Sequence, residues 1–318
     1  MTLDSNPTDL DTADIPTADL DATAFLDFLQ EIRPAIDATL GDLVPAEDVA
    51  PQRIHQAVRY SLFAGGKRIR PALTVLTGRA LGLADGMLLP GGCALEMIHT
   101  YSLIHDDLPS LDNDNLRRGR PTCHRRFDEA TAILAGDSLL TLGLTLLAAE
   151  PDGASSEARR AAVAMVGNAI GTLGMIGGQV DDLEAEKNWP EDAEAALEAI
   201  HRRKTGALLT ASIRLAGLYA EVDEETDGLL TELGDLIGLM FQIADDILDV
   251  EGTSLTLGKT AGKDASAQKL TYPGLFGLDA AKTMLRETRD RALQVAVRLP
   301  DQGGLFPSLI HYLTTRDR

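Results

Sequence analysis

Apolar residues recur at helical spacing along most of the chain. The spans 55–63, 68–83, 92–107, 129–149, 158–177, 192–219, 226–250, 279–298 and 305–315 each carry such a stripe, rich in alanine and leucine, with glycine or proline near the ends. Strand signals are weak, because few runs alternate β-branched or aromatic residues with polar ones, and aromatics make up only 4% of the chain. The pattern predicts an all-α fold, a single large helical bundle around a central cavity. At 318 residues two domains are feasible, but no internal Pro/Gly/Ser linker marks a boundary, so residues 23–318 read as one folded unit.

Two segments break the pattern. Residues 1–22 are rich in Asp, Thr and Pro and hold no basic residue, which predicts a flexible acidic tail. The basic start and apolar stretch of a secretory signal are missing. The longest apolar stretch, Ile133 to Ala149, is interrupted by Asp137 and is short for a bilayer. A soluble, cytoplasmic protein without membrane insertion is expected. Gly252 to Gln268, rich in Gly, Thr, Ser and Lys, has the composition of a mobile flap.

The chemistry is concentrated in two acidic clusters more than a hundred residues apart: Asp106, Asp107 and Asp112 in DDLPSLD, and Asp245, Asp246 and Asp249 in DDILD. Each closes a strongly apolar stretch. Carboxylates packed so densely beside an apolar core repel one another and resist burial unless a cation neutralises them. Mg²⁺ prefers oxygen ligands, keeps several waters, and is usually held by one or two carboxylates plus substrate phosphates. The clusters therefore point to magnesium and a phosphorylated substrate. Asp245 and Asp249 are four residues apart and share one helix face, with Asp246 beside them. Asp106 to Asp112 does not fit a regular helix, because Pro109 disfavours helical geometry at Leu108. Asp106 and Asp107 are expected in the last turn of a helix from about Gly92, with Asp112 brought back by the bend that follows. A third pair, Asp181 and Asp182 in GGQVDDLEAE, has no completing aspartate and reads as solvated surface.

Against a net charge of −20, with 29 Lys+Arg and 49 Asp+Glu, clustered cations are informative. They gather in GGKRIRP (Lys67, Arg68, Arg70), NLRRGRP (Arg117, Arg118, Arg120), HRRKTG (Arg202, Arg203, Lys204) and GKTAGKDASAQK (Lys259, Lys263, Lys269). Arginine matches phosphate oxygens bidentately and lysine acts as a mobile point charge, so a mixed set suits diphosphates chelated to metal. Arg68, Arg120, Arg202 and Arg203 read as solvated faces or ordinary surface salt bridges. Gly65 and Gly66 allow the backbone to approach an anion closely.

GGKRIRP, HTYSLIHDDLPSLDNDNLRRGRPTCH, GGQ, KTG, FQIADDILD, and GKTAGKD with KLTYP follow one another between about Gly65 and Pro273. In that order they resemble the trans-type isoprenyl diphosphate synthases, most closely the bacterial farnesyl diphosphate synthases. The resemblance implies that 23–318 is a polyprenyl synthase catalytic domain and that the protein is a homodimer. It implies magnesium, three ions with Mn²⁺ as a substitute, at Asp106 and Asp112 with Asp107 supporting, and at Asp245 with Asp246 and Asp249 adjoining. It implies that isopentenyl diphosphate is held by Gly66, Lys67, Arg70, His99 and Arg118. The allylic diphosphate would meet Arg117, Lys204, Thr205, Gln242, Lys259 and Lys269, with Gln179 and Phe241 also in the cavity. Many relatives continue the first motif with further aspartates, whereas here Asn113 follows Asp112, a departure that leaves the motif intact but puts a metal role for position 113 in doubt.

The implied reaction is head-to-tail condensation of isopentenyl diphosphate with dimethylallyl or geranyl diphosphate, giving farnesyl diphosphate and pyrophosphate. No enzyme nucleophile is needed, and the sequence carries no nucleophile elbow, Walker-type loop or serine triad. Tyr101 lies about 7.5 Å before Asp106 at helical rise, with Ser102 beside it. In the family an aromatic at that position limits chain growth, which implies a fifteen-carbon product. Geranylgeranyl diphosphate synthase, class I terpene cyclase and noncatalytic subunit of a heteromeric prenyltransferase are the alternatives. Two complete acidic motifs and a second diphosphate site weigh against the last two. Cys93 and Cys123 lack zinc spacing and read as reduced thiols; His99, His105, Cys123 and His124 as a transition-metal cluster is a weaker reading. Leucine at the fifth position removes DNDNL from the EF-hands, Phe241 and Trp189 read as packing residues, and the net charge disfavours nucleic acid.

Overall fold

The computed structural model describes residues 21–251, 269–300 and 304–316. Helices dominate: α1 Thr23–Leu43, α2 Gln52–Leu62, α3 Ile69–Ala80, α4 Asp85–Asp106, α5 Cys123–Arg126, α6 Glu129–Ala149, α7 Ser156–Ile170, α8 Met175–Lys187, α9 Ala193–His201, α10 Ala207–Ala220, α11 Glu224–Glu251, α12 Tyr272–Phe276, α13 Leu278–Ala296 and α14 Phe306–Thr315. Among the described residues the strands are one antiparallel ribbon, Leu116–Arg117 against Arg120–Pro121. The all-α fold is as expected.

Local chemistry sets several helix starts. The side chains of Asp128, Ser155 and Asp192 accept from first-turn amides of α6, α7 and α9, satisfying donors that have no partner inside the helix. Long-range packing decides other boundaries. Expected from about Gly92, α4 runs from Asp85 through Pro90, because Leu88, Leu95 and Ile98 on it are fully buried. The span 158–177 splits at Gly171–Gly174 into α7 and α8, and 192–219 is interrupted by a π-helical turn, Arg202–Gly206, which carries Lys204 and Thr205. Such turns rarely form without a local demand.

Helix α1 lies outside the predicted spans, although Phe25, Phe28, Ile32, Ile36 and Leu40 are buried at helical spacing. Its start is anchored: Ser308 accepts from the Phe25 amide at 3.0 Å and donates to the Asp21 carbonyl at 2.8 Å. Asp21, assigned to the acidic tail, is thus tied to the body, and residues 1–20 lie outside the described residues. By length and composition α6 would suffice to cross a bilayer, contrary to the expectation from its sequence. It packs against α4, α2 and α7.

Helices α4 and α11 carry the two acidic clusters at their C-terminal ends, and close backbone approaches fix their neighbours. A Cβ on Gly238 of α11 would sit 2.8 Å from the Cα of Gly206, at the end of the π-turn, and one on Gly234 would sit 2.8 Å from the Cα of Thr210. Gly238→Ala improves helix propensity by about 1 kcal/mol, yet overpacking costs about 1–3 kcal/mol. A net loss of stability, read as a lower urea midpoint at unchanged slope, is the expected outcome.

Candidate active site

The first acidic edge forms as its sequence suggests. Helix α4 ends at Asp106, and the following bend is closed by backbone bonds from Asp112 to Asp106 at 2.8 Å and from Asp114 to Asp107 at 3.2 Å. Asp107 is buried and accepts a fork from Arg117, Nη2 at 2.7 Å and Nε at 2.9 Å. Burial pushes its carboxyl up and the Arg117 hydrogen bonds hold it down; contacts this short favour the ionised pair. Asp106 is raised to about 6, by burial first, with Asp112 and Asp107 adding and Lys204 opposing.

The second edge is the end of α11. Asp246 accepts from Gln242 Nε2 at 3.2 Å and from the Tyr272 amide at 3.0 Å, and lies 4.0 Å from His201 Nε2. Burial pulls His201 down to about 3, so it is neutral. Asp245 pairs with Arg316 at 2.7 Å, and the same guanidinium lies over the Phe241 ring, 4.2 Å from its centroid. Asp249 is buried, and Phe241 is half-buried against the core.

Two lysines stand between the edges. Lys204 Nζ is 2.6 Å from Asp182 and close enough to Asp106 to favour its carboxylate against the effect of burial. Lys269 Nζ reaches Glu186 at 3.3 Å, Asp182 at 3.8 Å and Asp112 at 4.0 Å. Both line one cavity of about 120 Å³ with Asp182, Thr205, Gln242 and Asp246. Lysines that touch the first edge therefore also border the hollow bounded by the second. Asp182, read from sequence as surface, is buried here as their counter-ion. The overlooked signal was helical register, which puts Gln179, Asp182 and Glu186 on one face of α8.

A cationic cradle adjoins this hollow. Arg118, at a left-handed φ of 53° in the ribbon turn, donates to the Gly65 carbonyl. Gly66 has φ +130°, and any Cβ there would run into the Arg118 guanidinium. Burial pulls Arg70 down to about 10, Glu96 opposing and Arg118 adding. Burial and then Arg70, Arg118 and Arg117 keep His99 neutral. Arg70 Nε and Gln179 Oε1 are buried without a hydrogen-bond partner among the described residues, as expected of groups that await a ligand. Lys67 is exposed at the rim.

Other placements differ from expectation. Arg68 is not a surface residue: 3% exposed, it pairs with Glu96 at 3.0 Å and Asp37 at 2.9 Å. Arg202 and Arg203 make the half-exposed pairs anticipated, with Asp235 and Asp181, whereas Arg120 stacks on Tyr60. Trp189 is 49% exposed, too open for a simple packing residue. Tyr101 is buried edge-on to His105, centroids 5.7 Å apart, with Ser102 half-buried beside it. Cys93 and Cys123 are free and buried. Lys259, Lys263 and the whole of the anticipated flap lie outside the described residues.

Among the described residues no three His, Cys, Asp or Glu side chains form a ready cation cage. Separated carboxylate edges with lysines between them nonetheless fit magnesium, which is ordinarily held by a few carboxylates and completed by substrate phosphates. The donor set is all oxygen, which suits a hard cation.

The sequence matches the family described as Polyprenyl synthetase over residues 51–297. It is 45% identical to a farnesyl diphosphate synthase of Geobacillus stearothermophilus, over 81% of this chain and 86% of that protein. It is 41% identical to a chloroplastic geranylgeranyl pyrophosphate synthase of Catharanthus roseus, over 89% and 79%. The crystal structure of an FPP/GFPP synthase from Zymomonas mobilis superposes with a TM-score of 0.81 at 31% identity, covering 92% of this chain and all of that one.

Asp106 gives a pH-dependent test. Its folded value, about 6, exceeds the ordinary 3.8, so the folded state binds more protons between those values and stability falls as pH rises through about 6. In magnesium-free buffer, Asp106→Asn should raise the melting temperature by about 2–4 °C near pH 8, and the gain should fade as the pH is lowered below the folded value.

Proposed function

The chain belongs to the polyprenyl synthetase family and is a prenyltransferase, and from that premise we propose that it condenses isopentenyl diphosphate with dimethylallyl and geranyl diphosphates to give farnesyl diphosphate and pyrophosphate. The observation that carries the reading is the placement of Lys204 and Lys269 between two acidic edges, beside a cradle of arginines. Such a layout accommodates two diphosphates of different fates.

In the proposed reaction Lys204, Lys269 and Arg117 bind the allylic diphosphate, with Thr205 and Gln242 lining its pocket and Lys259 joining them. Lys67, Arg70 and Arg118, with neutral His99 and the backbone at Gly66, hold isopentenyl diphosphate. Magnesium, three ions in the full form of this reading, would be held by Asp106 and Asp112 on one edge and Asp245 and Asp249 on the other, supplying Lewis-acid charge withdrawal from the leaving diphosphate. Asp107 orients Arg117, while Asp246 holds the Tyr272 corner. The allylic C–O bond breaks, its electron pair leaving with pyrophosphate. The isopentenyl double bond attacks the allylic carbon, and loss of a proton to a pyrophosphate oxygen restores an alkene. The protein contributes positioning and water exclusion rather than a nucleophile.

Buried Tyr101 supports the fifteen-carbon product. Incubation with magnesium, isopentenyl and geranyl diphosphates should release pyrophosphate and yield a fifteen-carbon diphosphate by chromatography; no elongation overturns the reading. Tyr101→Ala should extend the product to twenty carbons or more, and an unchanged profile removes Tyr101 from chain-length control.

The same reading makes the protein a homodimer. Helix α6 is apolar on all sides, yet Ile133 and Leu134 on it are 45% and 58% exposed. Leu134 borders an apolar groove of about 710 Å³ with Ile54, Val58 and Leu142. A helix apolar all round is ordinarily covered on every side. Light scattering should give a dimer, and Leu134→Asp should shift it toward monomer.

A further inference from the structure

The loop that carries Lys67 and leads into Arg70 on α3 has an unusual backbone. Gly65 and Gly66 have φ of +96° and +130°, and Arg68, which has a side chain, sits at φ 54° and ψ 38°. An L-residue avoids that region unless its surroundings compel it. The compulsion is visible at the other end of the same side chain. Arg68 Nε donates to Asp37 Oδ1 at 2.9 Å, Nη1 to Glu96 Oε1 at 3.0 Å, and Nη2 to the Leu62 carbonyl at 2.9 Å. These acceptors belong to α1, α4 and the C-terminal end of α2. The Arg68 carbonyl in turn accepts the Ala72 amide at 3.1 Å, in the first turn of α3, which carries Arg70.

We infer that Arg68 is a positioning residue for isopentenyl diphosphate: its guanidinium locks the left-handed turn that sets Lys67 and Arg70 at the cradle. The inference rests on the proposed diphosphate role of those two neighbours. Glu96 makes the lock specific to the cradle, because it lies three residues before His99 on α4 and its charge acts on Arg70 and Arg118 as well. A single buried carboxylate thereby orients Arg68 through a hydrogen bond and acts by its charge on the two arginines assigned to the phosphate. Lysine in place of Arg68 keeps the charge but lacks the planar fork needed to satisfy three acceptors at fixed angles.

The test uses Arg68→Lys and Asp37→Asn. Asp37 is partly exposed and grips Arg68 from outside the core, so its variant should fold even where Arg68→Lys does not. In Arg68→Lys the KM for isopentenyl diphosphate should rise about tenfold, with the allylic KM and kcat changed less than about twofold; Asp37→Asn should move the same ratio by a smaller factor. A merely structural role would lower the melting temperature and leave the ratio of the two KM values unchanged. Unchanged or equally raised KM values in the folded variants overturn the inference. Calorimetric binding of isopentenyl diphosphate alone separates it from the parent reading. A wild-type protein that binds this ligand more tightly than Arg68→Lys but makes no product sinks the synthase assignment and leaves the positioning role standing. Equal binding by both proteins sinks the positioning role.

Discussion

Everything in the site depends on how carboxylates are neutralised beside an apolar core. Without ligands the acidic edges are compensated by protein cations: Asp107 by Arg117, Asp245 by Arg316, Asp112 by Lys269, and Asp106 by the nearby charge of Lys204. Compensation at Asp106 is incomplete, and its raised pKa records this. The proposed ligands would enter by exchange rather than by simple addition. A metal-bound diphosphate brings cations to the carboxylates and anions to the lysines at once, so each old ion pair is replaced as it is broken. Burying either charge alone would be costly, which couples metal and substrate binding physically.

The two halves of the site have opposite electrostatic character, and the difference matches the proposed fates of the two diphosphates. Around Lys204 and Lys269 acids predominate, so a diphosphate bound there needs added metal, and metal is what makes a diphosphate a competent leaving group. The cradle has Arg70, Arg118 and Lys67, with buried Glu96 and Arg68 behind them and a neutral imidazole at His99. A diphosphate held directly by arginines keeps its charge and its C–O bond. On the proposed assignment, which substrate ionises follows from which pocket contains the carboxylates.

Much of this was legible in the sequence, for identifiable reasons. The end of α4 and the return of Asp112 followed from Pro109, and the shared face of Asp245 and Asp249 from helical period; both are local rules. What failed depended on long-range contacts. Helix α1 was passed over although its stripe is regular, because it adjoins an acidic segment and contains Pro34. The π-turn at Arg202–Gly206 has no sequence signature, since close packing against Gly238 accompanies it. Asp182 looked like surface because an isolated acidic pair usually is, and only the arrival of Lys204 and Lys269 from distant segments gives it a buried role. Arg68 was misread for the same reason, its partners lying on α1 and α4. Arg316, near the chain end, offered no pattern at all.

Helix α4 also explains how specificity can vary while chemistry stays fixed. It carries Glu96 and His99 at the cradle, Tyr101 and Ser102 at the proposed chain-length floor, and Asp106 at the first acidic edge. From Glu96 to Asp106 is about 15 Å along a rigid axis, so the cradle and the acidic edge keep their separation whatever side chain stands between them. Gly92 and Gly143 hold that axis close to α3 and α6, where added Cβ atoms would meet Pro71 at 2.9 Å and Ile98 at 2.8 Å. A smaller residue at position 101 would deepen the pocket without moving either binding group. In the proposed reaction product length is then a local property of one turn, whereas ionisation belongs to the two helix ends, and the first can change without disturbing the second.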